Sequence, residues 1–232
     1  MTIRLLTFDL DDTLWDNAPV ILQAEQAMRD WLKQHAPAAG ALPIEHYRRV
    51  RQRLLDQQPG LKHRLSSLRR QSLSGLLREA GYDDQRAAAL AEGAFQTMLE
   101  ARHRITFFND TLPVLQTLAM RYRLAVITNG NADIHRLGLG DYFSFTLCAE
   151  EFGVGKPDPH PFREALRRAG VEAHQAVHIG DDPSNDIAGA QAVGMRAIWF
   201  NPAVQDWPLT GGPDARITNL AELPTALRRL EA

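Results

Sequence analysis

The sequence predicts an α/β protein, in which a Rossmann-like, doubly wound parallel sheet carries an inserted helical cap domain. Short apolar runs alternate with helix-like segments over most of the chain. This alternation is typical of βαβ units, whose parallel strands are covered by helices on both faces. By contrast, residues 17–104 show helical spacing and no β run. We therefore expect a core formed by residues 1–16 and 105–232, and a helical cap formed by residues 17–104.

Five apolar runs are predicted to form the strands, and each of them ends in polar or glycine-rich residues. The runs cover residues 3–8, 124–127, 145–148, 176–179 and 197–200. In an open parallel sheet, ligands bind beyond the carboxyl ends of the strands. We therefore expect the polar residues that follow these runs to meet in one site.

Helices are predicted between the strands and throughout the insert. In the core they cover residues 111–121, 159–169, 184–192 and 219–230. In the insert, the apolar spacing predicts helices at 19–34, 44–57, 61–80 and 83–102, separated by Pro and Gly residues. Because the insert begins at the carboxyl end of the first strand, we expect it to lie over the site as a cap.

The bulk composition limits the partners of the protein. The chain has 26 Lys and Arg residues against 28 Asp and Glu residues, which argues against a nucleic-acid binder. No apolar segment approaches membrane-spanning length, and the amino terminus shows no signal peptide. The single cysteine, Cys148, excludes an intrachain disulfide and is more typical of a small buried residue than of a nucleophile. We expect a cytoplasmic protein with no membrane partner, and the oligomeric state stays open.

Three carboxylates follow the first predicted strand, at Asp9, Asp11 and Asp12. Because close, unpaired carboxylates repel one another, a bound divalent cation is the simplest way to offset their charge. Side chains two residues apart on an extended chain point the same way, so Asp9 and Asp11 can face one site while Asp12 points elsewhere. Asp9 is the candidate nucleophile, and Asp11 is the candidate general acid and base. The alternative interpretation is a turn or a helix cap.

A second candidate element follows the next strand, at Thr128, Asn129 and Gly130. A hydroxyl group, a side-chain amide and free backbone amides at the end of a strand can bind a phosphate group. We therefore expect these three residues to bind substrate. The alternative interpretation is a turn, because Asn-Gly is a common turn pair.

Lys156 lies in a loop that contains two prolines and precedes a predicted helix. Asp158 is predicted to be the N-cap of that helix, with Pro159 at its first position. A lysine here can point inward and offset the charge of the nucleophile and of a phosphoryl group. An isolated lysine is more often a solvated surface residue. Against this, the chain is rich in arginine and has only two other lysines, and a site lysine acts as a compact charge that arginine does not imitate well.

The strand predicted at 176–179 also leads into acidic residues. We expect Asp181 to bind the metal together with Asp9, and Asp186 to bind a metal-bound water or to orient a ligand. By alternation from Asp181, Asp182 is expected to point away. An all-oxygen, carboxylate-rich set of ligands suits Mg²⁺. The eight histidines offer no rival metal site, because each is more typical of a structural or exposed residue.

In chain order, these four elements resemble the four motifs of the haloacid dehalogenase (HAD) superfamily. The motifs are Asp9-x-Asp11-x-Thr13, then Thr128, then Lys156-Pro157, and finally Gly180-Asp181 with Asp186, and they span the whole predicted core. The inserted helices resemble the C1 cap of that superfamily. The resemblance therefore covers both predicted domains.

The resemblance implies a role for each matched residue. It makes Asp9 the phosphorylated nucleophile and Asp11 the acid and base, whose backbone carbonyl also binds Mg²⁺. Thr128 and Lys156 would bind the phosphoryl group, and Asp181 would bind the metal. Dehalogenases of this superfamily lack the aspartate that corresponds to Asp11, so its presence implies phosphate chemistry on a small phosphorylated metabolite.

A narrower resemblance involves the segments 8–17 (Phe-Asp-Leu-Asp-Asp-Thr-Leu-Trp-Asp-Asn), 127–132 (Ile-Thr-Asn-Gly-Asn-Ala) and 137–143 (Leu-Gly-Leu-Gly-Asp-Tyr-Phe). They look like a bacterial subgroup of HAD phosphatases. That subgroup acts on flavin mononucleotide (FMN) and on 5-amino-6-(5-phosphoribitylamino)uracil, an intermediate of riboflavin biosynthesis. The resemblance thus implies a Mg²⁺-dependent phosphatase of riboflavin or flavin metabolism.

Several alternatives share the same residues. A phosphomutase or phosphotransferase would differ in excluding water from the phosphoenzyme, and a nucleotidase or a broad sugar-phosphate phosphatase would differ only in its substrate. A non-enzymatic binding protein would be expected to lack one of the key side chains, and this chain lacks none. Residues 44–78 carry nine Lys or Arg residues against two acidic ones. This stretch either attracts an anionic substrate or forms solvated helix faces.

Overall fold

The computed structural model describes residues 2–232, and the chain forms two compact units. The first unit combines the residues up to Asp16 with Thr106–Ala232 and contains the whole sheet. The second unit, Asn17–Ile105, is entirely helical and is called the helical unit below.

The sheet has six parallel strands in the order β3-β2-β1-β4-β5-β6. The strands are β1 (Leu5–Phe8), β2 (Arg123–Thr128), β3 (Thr146–Cys148), β4 (Ala176–Gly180), β5 (Arg196–Phe200) and β6 (Ala215–Ile217). Strand order reverses between β1 and β4, and such a switch point opens a crevice beyond the carboxyl ends of the two strands. The predicted fold class, a doubly wound parallel sheet with an inserted helical domain, is confirmed.

The sequence missed β6, a strand of three residues at the edge of the sheet. The segment contains the exposed Arg216 between Ala215 and Ile217, so it shows no apolar run. It becomes a strand because it pairs with β5, where Phe200 lies opposite Ile217. That pairing is tertiary, and no local pattern predicts it.

The helical unit contains five helices and one short 3₁₀ turn. The helices are α1 (Asn17–His35), α2 (Pro37–Gly40), α3 (Ile44–Gln57), α4 (Leu65–Glu79) and α5 (Asp84–Arg102). The helix predicted at 61–80 is instead divided into the 3₁₀ turn Pro59–His63 and α4. The buried residues of α1 recur every four positions, at Val20, Ala24, Met28 and Leu32. The last three belong to a core shared with α4 and α5.

The first unit has five further helices: α6 (Thr111–Ala119), α7 (Ala149–Phe152), α8 (Pro159–Ala169), α9 (Gly189–Gln191) and α10 (Leu223–Glu231). α8 begins as predicted, because the Asp158 carboxylate accepts from the His160 N–H at 2.8 Å and Pro159 occupies the first turn. The helix predicted at 184–192 is instead a π-helical turn, Pro183–Ala188, that continues into α9.

Both faces of the sheet are buried. On one face, α8 contributes Phe162 and Ala165 to a core that also contains Leu5, Ile127 and Trp199. On the other face α6 packs on β2 and α10 packs on β6, and the two helices contact each other. No helix among residues 2–232 combines the length and the apolar character that a bilayer crossing requires.

Candidate active site

Asp9 is the first residue beyond β1, at the carboxyl edge of the sheet. Its backbone N–H donates to the Ile179 carbonyl of β4 at 2.9 Å, so the residue is fixed between the two central strands. The chain then turns sharply, because the Leu14 N–H donates back to the Leu10 carbonyl at 2.8 Å and Asp12 has a left-handed φ of 60°. This turn brings the next carboxylates of the motif to the same edge.

Lys156 lies between two carboxylates. Its Nζ is 2.6 Å from Asp9 Oδ1 and 2.6 Å from Asp186 Oδ1. All three side chains are largely withdrawn from water, with 2% of the Lys156 side chain exposed, 13% of Asp9 and 1% of Asp186. The predicted inward orientation of Lys156 is therefore what the structure shows.

Burial and charge act in opposite directions on this group. Burial alone would lower the pKa of Lys156, but the adjacent Asp186 and Asp9 carboxylates raise it above its usual value. Burial alone would raise the pKa of Asp186, but Lys156 and His178 hold it well below the usual range. Burial raises the pKa of Asp9 well above its usual value, because Lys156 offsets only part of the cost and Asp186 adds repulsion. Lys156 is therefore positively charged. The Asp9 carboxylate needs more positive charge nearby than Lys156 alone provides.

A buried series of hydrogen-bonded side chains holds the Asp186 carboxylate in place. Thr7 on β1 lies opposite His178 on β4, and Thr7 Oγ1 is 2.8 Å from His178 Nδ1. His178 Nε2 is 3.2 Å from Asp186 Oδ1, and the Asp182 backbone N–H donates to Asp186 Oδ2 at 3.0 Å. Burial lowers the pKa of His178, so the ring is neutral and its Nε2–H donates to Asp186. Hydrogen bonds to both oxygens therefore fix the orientation of the Asp186 carboxylate.

Sequence reasoning missed His178 as part of the site. The available signal was polar residues, Thr7 and His178, within two otherwise apolar strands. A buried polar residue needs a partner, but the sequence does not give the register that makes these two residues neighbours.

Asp181 follows β4, and two contacts fix it. The Thr13 hydroxyl donates to Asp181 Oδ1 at 3.1 Å, and the Trp199 indole N–H donates to the Asp181 backbone carbonyl at 2.7 Å. Burial raises the pKa of Asp181 to about 7, and the nearby charges of Asp186 and Asp12 add to the shift. The carboxylate therefore needs a further cation nearby to ionise readily.

Three carboxylates could hold such a cation. Ligand oxygens of Asp9, Asp181 and Asp186 all lie within 4.8 Å of one another. When all three are ionised, the single charge of Lys156 leaves two negative charges without compensation, because His178 is neutral. An all-oxygen donor set with this deficit fits a divalent cation such as Mg²⁺.

Asp182 does not join this set, as alternation predicts. Its Oδ1 accepts from the backbone N–H groups of Ser184 at 2.8 Å and Asn185 at 2.7 Å. The carboxylate is the N-cap of the π-helical turn. Gly180 makes room for Asp186 on the other side, since a Cβ on Gly180 would collide with the Asp186 carboxylate.

Asp11 is half-buried and approaches the loop after β2. A Cβ on Gly130 would lie 2.5 Å from Asp11 Oδ2, so the absence of a side chain at Gly130 is what permits this approach. The Asp11 side chain is not among the three clustered carboxylates; its predicted part in metal binding involved the backbone carbonyl. The acid and base role of Asp11 stays a prediction.

The polar groups in the loop after β2 make more hydrogen bonds within the protein than the sequence predicted. The Gly130 N–H donates to the buried hydroxyl of Thr128 at 2.9 Å, so the expectation of a free amide at Gly130 is wrong. The Asn129 side chain accepts from the Lys156 N–H at 2.8 Å, and its amide donates to the Lys156 carbonyl at 2.9 Å. Asn129 therefore fixes the backbone of Lys156, a contact that sequence reasoning missed. Phosphate binding by Thr128, Asn129 and Gly130 stays a prediction.

Cys148 is half-buried at the end of β3, and its thiol donates to the Gly130 carbonyl at 3.2 Å. Burial raises the pKa of this thiol, so it stays protonated. These observations fit the expected structural role rather than that of a nucleophile.

The arrangement of these residues agrees with a match to known proteins. Residues 3–194 match the family described as haloacid dehalogenase-like hydrolase. The chain belongs to this family. The resemblance that the motifs indicated is thereby confirmed, and Asp9, Lys156, Asp181 and Asp186 of this hydrolase all lie within the matched range.

Two curated relatives of this hydrolase are phosphatases. It is 35% identical over 229 residues to 5-amino-6-(5-phospho-D-ribitylamino)uracil phosphatase YigB of Escherichia coli (strain K12), covering 97% of this chain and 96% of the relative. It is 31% identical over 206 residues to glyceraldehyde 3-phosphate phosphatase of Methanopyrus kandleri, covering 84% and 83%. The predicted enzyme class, phosphoric monoester hydrolase, is confirmed.

One similar crystal structure has a different description. The structure of a 2-haloacid dehalogenase from Pseudomonas syringae pv. Tomato DC3000 is 56% identical to this hydrolase, with a TM-score of 0.96, and the match covers 98% of this chain and 99% of that one. The fold is therefore shared along the entire length.

Proposed function

We propose that the protein is a Mg²⁺-dependent phosphatase that hydrolyses a small phosphorylated metabolite through a phosphorylated Asp9. One observation carries the proposal. The Asp9 carboxylate lies 2.6 Å from the buried Lys156 ammonium, and it belongs to a cluster of three carboxylates with a deficit of positive charge. A nucleophile with an adjacent fixed cation and room for a second one is suited to attack on a phosphate ester.

In the first step, an Asp9 oxygen attacks phosphorus and a new O–P bond forms. The bond between phosphorus and the substrate oxygen breaks, and Asp11 gives its proton to the departing alcohol. In the second step, Asp11 takes a proton from water as the water oxygen attacks phosphorus. The bond to Asp9 then breaks, which releases inorganic phosphate and restores both carboxyl groups.

Other residues would bind the reacting group and the metal. Lys156, the Thr128 hydroxyl and backbone amides at Asn129 and Gly130 would bind phosphoryl oxygens, with the Gly130 amide changing partner from Thr128. Asp9, Asp181 and Asp186 would hold Mg²⁺, together with the backbone carbonyl of Asp11. When bound, Mg²⁺ would supply positive charge against the phosphoryl oxygens and the carboxylates.

For the natural substrate we propose 5-amino-6-(5-phospho-D-ribitylamino)uracil or FMN, in the cytoplasm. Two observations support this choice: the three segments that resemble the flavin-related subgroup, and the 35% identity to YigB over nearly the whole chain. In this proposal, residues 17–104 are a cap that selects the substrate. A phosphotransferase or a nucleotidase with the same residues would be recognised by its products and its substrate preference.

A second candidate activity is 2-haloacid dehalogenation, which the 56% identity to the Pseudomonas syringae structure favours. In that reaction Asp9 would attack carbon and displace a halide ion. The presence of Asp11 argues against dehalogenation, because dehalogenases of the superfamily lack the corresponding aspartate. The two activities release different products, so one experiment separates them.

The test measures phosphate release, with and without Mg²⁺, from the ribityl pyrimidine phosphate, FMN, pyridoxal phosphate, nucleotides and sugar phosphates. Halide release from 2-chloropropionate is measured in parallel. We expect Mg²⁺-dependent phosphate release that favours the ribityl phosphates. The Asp9→Asn variant should lower turnover by about four orders of magnitude or more.

Asp158→Asn is the matched control. It removes one carboxylate near Lys156 but retains an N-cap side chain, so it should keep full activity. Halide release without phosphate release would replace the proposal by dehalogenation. Phosphate passed to a sugar rather than to water would indicate a phosphotransferase, and an Asp9→Asn protein with wild-type turnover would refute the mechanism.

A further inference from the structure

Trp199 lies on β5, outside the segments that carry the four motifs of the sequence. It pairs with Gly180 in the ladder between β4 and β5, so it stands beside the last residue of β4. Trp199 is buried, with 2% of its surface exposed, and its indole N–H donates to the Asp181 backbone carbonyl at 2.7 Å. β5 therefore supplies a buried hydrogen-bond donor to the segment that carries Asp181.

The carbonyl that accepts this hydrogen bond belongs to the peptide unit between Asp181 and Asp182. The other polar group of the same unit, the Asp182 N–H, donates to Asp186 Oδ2 at 3.0 Å. A peptide unit is planar, so its carbonyl and its N–H cannot turn independently of each other. The hydrogen bond from Trp199 therefore also fixes the direction of the N–H that holds Asp186. It polarises the peptide unit as well, which makes that N–H a stronger donor.

This peptide unit acts on two of the three clustered carboxylates. The Asp181 side chain leaves the backbone at one end of the unit, and the Asp186 carboxylate accepts from its N–H. The third carboxylate, Asp9, is held by other groups, because its backbone donates to Ile179 and its side chain contacts Lys156. Loss of the Trp199 N–H should therefore disturb two of the candidate metal ligands and leave the third in place.

The alternative interpretation is that Trp199 only packs. Its ring belongs to the apolar core that α8 covers, and its centroid lies 5.1 Å from that of the Trp207 ring, in an edge-to-face arrangement. Packing of this kind requires the ring but not the N–H. Trp207 shows the contrast, because its own indole nitrogen has no hydrogen-bond partner among residues 2–232. The two neighbouring indoles thus differ in one respect, the hydrogen bond to Asp181.

We propose that Trp199 is a positioning residue of the metal site, which orients the Asp181 and Asp186 carboxylates through the peptide unit between Asp181 and Asp182. The inference rests on the proposed function, because it concerns the Mg²⁺ that this function requires. Groups that orient metal ligands raise the affinity for the metal, since the ligands are in place before it binds. The site then depends on a fifth element, from β5, in addition to the four motifs.

The experiment measures Mg²⁺ binding by calorimetric titration of the full-length protein without substrate. Trp199→Phe keeps an aromatic ring at this position and removes the N–H, so the Kd for Mg²⁺ should rise about 10-fold. kcat at saturating Mg²⁺ should stay within about threefold of the wild-type value, because the contacts of Asp9 and Lys156 are unchanged. The melting temperature of each protein is measured in the presence of EDTA.

Trp207→Phe is the matched control, because it makes the same truncation in the ring that contacts Trp199. Its Kd for Mg²⁺ should stay within about twofold of the wild-type value, since no hydrogen bond is lost. Both variants should have lower melting temperatures, which separates lost packing from lost metal affinity. Equal Mg²⁺ affinity in the wild type and Trp199→Phe, or equal losses in the two variants, would overturn the inference and leave the phosphatase proposal standing.

A second measurement uses the wild-type protein and is decisive even if Trp199→Phe does not fold. The chain has four tryptophans, so a proton–nitrogen NMR spectrum contains four indole N–H signals. Phe variants of the other three tryptophans assign the Trp199 signal by elimination. This signal should move as Mg²⁺ is added, with the Kd that calorimetry gives, and the Trp207 signal should move much less. A Trp199 signal that saturating Mg²⁺ left unchanged would overturn the inference.

These measurements distinguish failure of the inference from failure of the proposed function. Weaker Mg²⁺ binding in Trp199→Phe than in the wild type and Trp207→Phe would support the role of Trp199 even if no phosphate ester were hydrolysed. A wild-type protein that bound no Mg²⁺ would overturn the inference together with the metal requirement of the proposed function.

Discussion

The charged groups at the edge of the sheet are neutralised differently from Arg51 and Arg69 of the helical unit. Lys156 contacts two carboxylates at 2.6 Å, and Asp186 accepts from Lys156, His178 and the Asp182 backbone. In the helical unit, Arg51 and Arg69 contact no carboxylate among the residues that the structure describes. At the sheet edge the fold pairs Lys156 with Asp9 and Asp186, whereas in the helical unit the Arg51 and Arg69 guanidinium groups have no carboxylate partner within residues 2–232.

The pairing at the sheet edge is what the proposed chemistry requires. Chemistry at Asp9 depends on groups held in place before the substrate arrives, because electrostatic stabilisation works best without rearrangement. The unpaired arginines therefore reduce stability where the paired lysine increases it.

The largest expected effect is on stability, and it has opposite signs in the two regions. Lys156→Met should lower the free energy of unfolding by about 3 kcal/mol at pH 8, because Asp9 and Asp186 would remain buried without their cation. Arg69→Met should leave it unchanged or raise it by up to about 1 kcal/mol, because it removes a half-buried charge without an ion-pair partner. Urea unfolding in the presence of EDTA measures the free energy of unfolding of both variants.

Losses of equal size in the two variants would remove the distinction between the regions. Arg53→Met serves as the surface reference, since an exposed ion pair contributes less than about 1 kcal/mol.

The second-largest expected effect concerns His178, which donates a hydrogen bond to Asp186. His178→Leu should lower kcat or raise the Mg²⁺ concentration for half-maximal activity by about 10- to 100-fold, because Asp186 loses the N–H that orients it. His178→Gln can still offer an N–H and should recover part of the activity. Steady-state kinetics at varied Mg²⁺ concentration separates this role from general destabilisation.

Thr111→Val is the control for that experiment. It removes another buried hydrogen bond of the first unit, from the Thr111 hydroxyl to the Leu14 carbonyl at 3.0 Å. It should lower the melting temperature without changing kcat. If His178→Leu behaved in the same way, His178 would be a structural residue only.

The smallest expected effect is a pH dependence of the metal-free protein. The pKa of Asp181 is raised to about 7, against about 3.9 in an unfolded chain. The folded state therefore holds the proton more tightly, and stability declines as the pH rises from about 4 through about 7. In EDTA, the wild type should lose on the order of 1–2 kcal/mol more than Asp181→Asn between pH 5 and pH 8.

Chemical unfolding at several pH values measures this difference. If the free energy of unfolding changed with pH in the same way for the two proteins, Asp181 would be shown to ionise normally. Added Mg²⁺ should restore stability at pH 8 in the wild type more than in Asp181→Asn, because the cation favours the ionised carboxylate.

Most of the sheet was predictable from sequence, because its central strands are continuous apolar runs followed by polar residues. β6 was not, since Ala215–Ile217 becomes a strand only by pairing with β5. The division of the predicted 61–80 helix was also missed. A 3₁₀ turn and a helix share similar residue preferences, and only packing decides between them.

At the site, the sequence by itself determined which carboxylates follow the strands and which lysine points towards them. Spacing along the chain was sufficient, because parallel strands bring their carboxyl ends to one edge. It also determined that Asp182 would point away from Asp181, since that depends only on alternation.

Only the tertiary structure decided which residues hold those groups in place. The contacts of Asn129 with Lys156, Thr13 with Asp181 and Thr7 with His178 join segments 27, 168 and 171 residues apart. Such contacts depend on register and packing between distant segments, whereas a sequence pattern reports only the spacing within one segment.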